Sequence, residues 1–128
     1  RDKYQSMLAE AYLVMLLHSV VSQHESPKSQ DLEEDFQVVK TRMDVCVQLQ
    51  PTNPSVYKMR ADFLQRFGHL AGKDELAADF KKAIQLAEDD DTGKEMPGTA
   101  DGVDPKQQRR FLLAYCYHQL GSLQQRMK

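Results

Sequence analysis

The segments "YKMRADFL" (Tyr57–Leu64) and "LAADFKKAIQL" (Leu76–Leu86) decide the fold. Tyr57, Ala61, Leu64 and Phe67 recur at three- and four-residue steps, and so do Leu76, Phe80, Ala83, Ile84 and Ala87. Each series lays one apolar stripe along a helix. The connector "GHLAGKDE" (68–75) is too short for anything but a turn, so the two helices fold back on each other as an antiparallel pair. That helical hairpin is the unit from which the rest of the chain is read.

Upstream, "PTNPS" (51–55) is a tight turn that stops one helix and starts the next, with Ser55 expected as the cap. The helix it stops carries Phe36, Val39, Met43, Cys46 and Leu49 on one stripe. It is expected to start at a cap on Asp31, with Glu34 completing a box-like pair. "HESPKSQD" (24–31) separates it from a first helix over about 2–24, whose stripe is Tyr4, Leu8, Ala11, Tyr12, Met15, Leu16 and Val20. Downstream, residues 88–105 hold seven acids against one Lys, with three Gly and two Pro, a composition that predicts a flexible acidic loop. A fifth helix begins at Pro105, a residue suited to a first helical turn, and carries Phe111, Ala114, Tyr117 and Leu120 before Gly121.

Five helices and no strand signal predict an all-α fold of antiparallel hairpins. The 128 residues make one domain, 1–128, long enough to bury roughly two thirds of its unfolded surface. Arg1 in place of Met sets the expectation of a domain excised from a larger protein. A formal net charge of -2 gives no global attraction to nucleic acid or anionic lipid. Cys46 and Cys116 lie inside apolar helical patterns and read as reduced thiols, which places the protein inside the cell, in cytoplasm or nucleus. The longest apolar run, Met7 to Val21, is interrupted by Glu10 and His18 and is too short to span a bilayer.

A local pattern repeats. "LAEAY" (8–12) and "LAYCY" (113–117) each place Leu, then Ala, then Tyr three residues after the Ala, and Arg60, Ala61 and Leu64 form a weaker middle copy. A small residue with a larger apolar one three positions on puts both on one helix face, where a second helix can approach closely. With "VVKTRMDVCVQLQP" (38–51) as a second helix, the middle hairpin as a whole unit and "LLAYCYHQLG" (112–121) as a further first helix, the chain resembles the tetratricopeptide repeat (TPR) family. The spacing departs from that family. Ala9 to Ala61 is 52 residues and Ala61 to Ala114 is 53, so both intervals exceed the 34-residue repeat and require insertions.

The resemblance implies a TPR-like superhelix whose first helices line a groove for a peptide or helix of a partner protein. Its groove residues would be Lys58, Asp62 and Gln65 in the middle helix, Phe111, Tyr115 and His118 in the last, and Gln5 or Ser6 with Leu13 in the first. Phe111 and Tyr115 also admit a plain packing role against a neighbouring helix. Family members that clamp chaperone C-terminal carboxylates use Asn and Lys on their first helices. The one Asn here, Asn53, lies in a turn, which argues against a carboxylate-clamp chaperone tail. The alternative function is a structural spacer or self-association domain. RNA or lipid binding through Lys106, Arg109, Arg110, Arg126 and Lys128 ranks below both, because aromatic interleaving is missing.

Catalytic chemistry finds little purchase. His18, His24, His69, His118 and the two Cys lack metal-ligand spacing, and Cys46 falls at a packing position. "EDDDTGKEMPGT" (88–99) imitates a calcium loop through Gly93, but Glu88 opens it in place of Asp, and Thr99 occupies the bidentate Glu position. Pro54 spoils Asn53-Pro54-Ser55 as a glycosylation site, and Glu33 and Glu34 are adjacent where acid–base work needs convergence. The expectation is a non-enzyme with no catalytic residue, metal or cofactor.

Overall fold

A computed structural model of the chain describes residues 2–24, 29–67, 70–89 and 105–126, with side chains at 3–17, 32–67, 70–89 and 106–125. Five helices run in order: α1 (Asp2–His24), α2 (Ser29–Leu49), α3 (Pro54–Gln65), α4 (Lys73–Asp89) and α5 (Pro105–Arg126). The described residues contain no strand, so the fold is all-α. Each helix packs on the next in sequence, and α3 also touches α5.

The core follows the periodicities of the two middle hairpin helices. Tyr57, Ala61 and Leu64 of α3 are buried with Leu76, Phe80, Ala83, Ile84 and Ala87 of α4, and Val39, Met43 and Cys46 of α2 join them. Ala61 has no exposed surface, which fits a close approach by a neighbouring helix. Aromatic edges extend the core along the stack. Phe36 on α2 meets Phe67 just past α3 at 5.7 Å between ring centroids, and Phe80 on α4 meets Tyr115 on α5 at 6.4 Å.

Polar groups join helices where the apolar stripes stop. Arg60 on α3 reaches Asp79 on α4 and Asp44 on α2, and Arg42 on α2 pairs with Glu10 on α1. The Cys46 thiol faces the carbonyl oxygen of Tyr4 at 4.0 Å. Both cysteines are free and buried.

The structure corrects several expectations. Asn53, not Ser55, caps α3: its Oδ1 accepts the Ser55 N–H at 3.0 Å and its Nδ2 donates to Gln50 Oε1 at 2.8 Å. Pro54 then opens the helix, where a missing N–H costs nothing. Asp31 lies inside the first turn of α2, which starts at Ser29; its side chain lies outside the described residues. Gly121 does not end α5, which continues to Arg126 because one Gly costs only about 1 kcal/mol within a packed helix. Of the predicted loop 88–105, Glu88 and Asp89 close α4 and Pro105 opens α5; residues 90–104 lie outside the described residues.

The larger correction concerns the repeated pattern. Its middle copy packs, with Ala61 and Leu64 buried, whereas Ala9 and Tyr12 in α1 and Ala114 and Tyr117 in α5 face outward. The stripe α5 buries is Leu112, Cys116 and Leu123, rotated from the predicted Phe111, Ala114 and Tyr117. Apolar residues encircle both helices, so the pattern by itself left the buried side undecided.

Candidate functional site between α3 and α5

Side chains of α3 and α5 bound a cleft of about 450 Å³, lined by Ser55, Lys58 and Met59 from one helix and Gln108, Phe111, Leu112 and Tyr115 from the other. On α5 the lining residues follow the i, i+3, i+4, i+7 spacing of a single helix face. Phe111 is 64% exposed although it is a large aromatic, while Leu112 beside it is buried. The cleft therefore pairs an apolar floor with an accessible aromatic at its lip.

Below the cleft, three of the predicted groove residues, Lys58, Asp62 and Tyr115, meet one another. The Tyr115 hydroxyl donates to the Asp62 carboxylate, and the Lys58 ammonium sits 3.6 Å from Asp62 and 4.5 Å above the Tyr115 ring. One turn further along α3, Gln65 Nε2 donates to Gln119 Oε1 on α5 at 3.2 Å. Burial, and then the hydrogen bond to Asp62, push the Tyr115 hydroxyl well above its ordinary value, so it stays protonated and donating. Asp62, Gln65 and Tyr115 thus serve as a polar latch between two helices of the same chain. Lys58 belongs to both the latch and the cleft.

The other predicted residues separate. Phe111 lines the cleft, and His118 is exposed outside its lining. Gln5 and Leu13 line a shallow depression of about 390 Å³ on α1 with Leu8, Ala9, Tyr12 and Leu16, and Ser6 is exposed outside that lining. Sequence reasoning missed Ser55, Met59, Gln108 and Leu112. Their signal was present: Ser55 and Gln108 lie three residues before Lys58 and Phe111, and Met59 and Leu112 directly follow those two.

A third cavity, about 290 Å³ between α2, α3 and α4, holds Lys40, Asp44, Arg60, Glu75 and Asp79. Each of these charged groups has an opposite charge within 4.0 Å in the chain, with Arg60 shared between Asp44 and Asp79. Arg60 binds Asp79 through Nε at 2.9 Å and Nη2 at 2.6 Å, and Lys40 lies 4.0 Å from Glu75. These contacts tie α2, α3 and α4 together.

Among the described residues no three His, Cys, Asp or Glu side chains gather as a metal site. Cys116 is fully buried while His118 is exposed, so the two share no ligand position. His18, His24 and His69 lie outside the described side chains. Burial pushes the Cys46 thiol up and the Cys116 thiol to about 11, which keeps both protonated and poorly nucleophilic. Among the described residues no helix is long and apolar enough to cross a membrane. No protein-family model, curated protein or solved structure matches the chain.

Proposed function

We propose that the chain is a non-catalytic protein-interaction module of TPR-like helical hairpins, and that it holds a peptide or helix segment of a partner protein in the cleft between α3 and α5. One observation carries this reading: Phe111 lies 64% exposed at the lip of an apolar cleft between α3 and α5. An exposed aromatic beside a concave apolar surface is the anchor-and-pocket arrangement that interfaces use. The sequential packing of α1 through α5 and the fully buried Ala61 support the TPR-like assignment. The surface positions of Ala9, Tyr12, Ala114 and Tyr117 weigh against it. The two buried thiols support a reducing compartment, cytoplasm or nucleus.

A second reading, self-association or a spacer role, is favoured by a different surface. Tyr12, Leu13, Leu16 and Leu17 are all half exposed on α1 and form an uncharged apolar patch. The two readings separate in one experiment. A random 12-residue peptide library displayed on phage is selected on the immobilised protein and, in parallel, on Phe111→Ser with its fold checked by circular dichroism. Peptides enriched on the first and absent from the second support the groove. Enrichment indifferent to Phe111, or none, removes it, and concentration-dependent dimerisation in sedimentation then supports the α1 surface.

A further inference from the structure

We infer that the outward face of α1 is a two-fold interface between copies of this chain, in which the two α1 helices lie antiparallel with Tyr12 and Leu13 at the axis. This rests on the self-association reading above and adds its geometry, and it uses no residue of the α3–α5 cleft. Tyr12, Leu13, Leu16 and Leu17 are 55%, 57%, 50% and 58% exposed, whereas Tyr4, Ala11 and Met15 across the helix are buried. A helix apolar on both sides carries a second apolar surface to cover. At roughly 200 Å² for a fully exposed large apolar residue, the four side chains supply about 400 Å² per copy. With the exposed Gln5 and Ala9 beside them, two copies bury about 1,000 Å² in all, the size at which a specific interface begins.

The face is complementary to itself in one direction. Ala9 and Leu16 both line its shallow depression, two helical turns apart on one side of α1. Antiparallel pairing about Tyr12 and Leu13 sets the Leu16 of each copy against the Ala9 of the other, so a large side chain meets a small one twice. Parallel pairing would crowd Leu16 on Leu16 and leave a gap between the two Ala9 residues. Gln5, Leu8, Ala9, Tyr12, Leu13 and Leu16 are all uncharged, so two copies meet without like-charge repulsion. Glu10, at the edge of the face, is engaged by Arg42 of its own chain. The Tyr12 ring is set in place by its edge contact with Phe63, at 5.9 Å between centroids. A surface without charge offers little by which to select a foreign partner, whereas symmetry supplies the match to a second copy.

The test is sedimentation equilibrium of the intact chain from about 1 to about 300 µM, with Leu16→Glu and Phe111→Ser in parallel, each confirmed folded by its thermal melt. The expected result is a micromolar dimer that weakens at least about tenfold on Leu16→Glu, is indifferent to Phe111→Ser and changes little with salt. Cysteine pairing then reads the direction, since both native thiols are buried. Under mild oxidation Ala9→Cys mixed with Leu16→Cys should form the mixed disulfide, while neither variant alone should link to itself. A chain that stays monomeric, or a dimer indifferent to Leu16→Glu, would overturn the interface and the α1 self-association reading together. A dimer lost on Leu16→Glu that gives no mixed disulfide, or links Ala9→Cys to itself, would overturn the antiparallel arrangement and leave self-association through α1 standing.

Discussion

The guanidinium of Arg60 grips the carboxylate of Asp79 with two nitrogens, Nε to Oδ2 at 2.9 Å and Nη2 to Oδ1 at 2.6 Å, and thereby ties α3 to α4. Its third nitrogen, Nη1, reaches Asp44 of α2 at 3.1 Å. A planar fork with three aligned donors suits this junction of three helices, where a lysine would supply only a point charge. The hydrogen bond to Asp79 raises the Arg60 pKa against the opposing effect of burial, so the guanidinium stays charged.

Arg60→Met is therefore expected to lower stability by about 3 kcal/mol, chiefly because it strands the buried Asp79 carboxylate. Urea denaturation checks the loss. Arg60→Met with Asp79→Leu should recover most of it, and a double variant no more stable than the single one would show that the tie does not work through charge burial.

Ala61→Leu and Ala114→Leu make a matched pair, since both alanines occupy the same place in the repeated pattern. Ala61 has no exposed surface, so its enlargement should overpack the hairpin and cost about 1–3 kcal/mol. Ala114 faces outward, and its enlargement should change stability by less than about 0.5 kcal/mol. Equal losses at the two positions would mean that the α5 face is assigned wrongly.

Asn53→Ala should cost about 1–2 kcal/mol. The change deletes the cap on the Ser55 N–H and the hydrogen bond to Gln50 together, at a position only 2% exposed. Asn53→Asp keeps the acceptor and loses the donor, so its melting temperature should fall between alanine and the parent. An alanine variant as stable as the parent would remove the cap from the energetics of α3.

Alkaline pH should loosen the contact of α5 with α3 and α4. Burial holds the Cys116 proton, raising it from 9.0 to about 11, and burial with the Asp62 hydrogen bond holds the Tyr115 proton above its ordinary 10.0. In both cases the folded form keeps the proton more tightly than the unfolded chain. Their stability is complete below about pH 9 and falls as pH rises toward the folded values. Urea melts from pH 7 to 10.5 should show that decline, and Tyr115→Phe should flatten its upper part. A decline unchanged by Tyr115→Phe would assign it to other groups.

The sequence by itself determined the five helices, the turn at "PTNPS" and the core of the middle hairpin. In α4 the apolar residues keep to one side, so periodicity named the buried face correctly from Leu76 to Ala87. The α3–α5 site was half legible. Phe111 and Lys58, expected in a groove, line the α3–α5 cleft, while Asp62, Gln65 and Tyr115, expected to meet a partner, bond within their own chain, as Lys58 also does.

Only the tertiary structure decided which face α1 and α5 bury, and with it which polar side chains the chain engages within itself. In α1, Tyr4, Ala11 and Met15 go inward while Tyr12, Leu13 and Leu16 stay outside; in α5, Leu112 and Cys116 go inward while Phe111 and Tyr117 stay outside. Both helices are apolar around most of their circumference, so several rotations bury similar apolar area and the local pattern cannot choose among them. The choice is made by groups far apart in the chain. Tyr115 reaches Asp62 and Phe80 only when α5 lies across α3 and α4 in one rotation, and that rotation leaves Phe111 facing solvent.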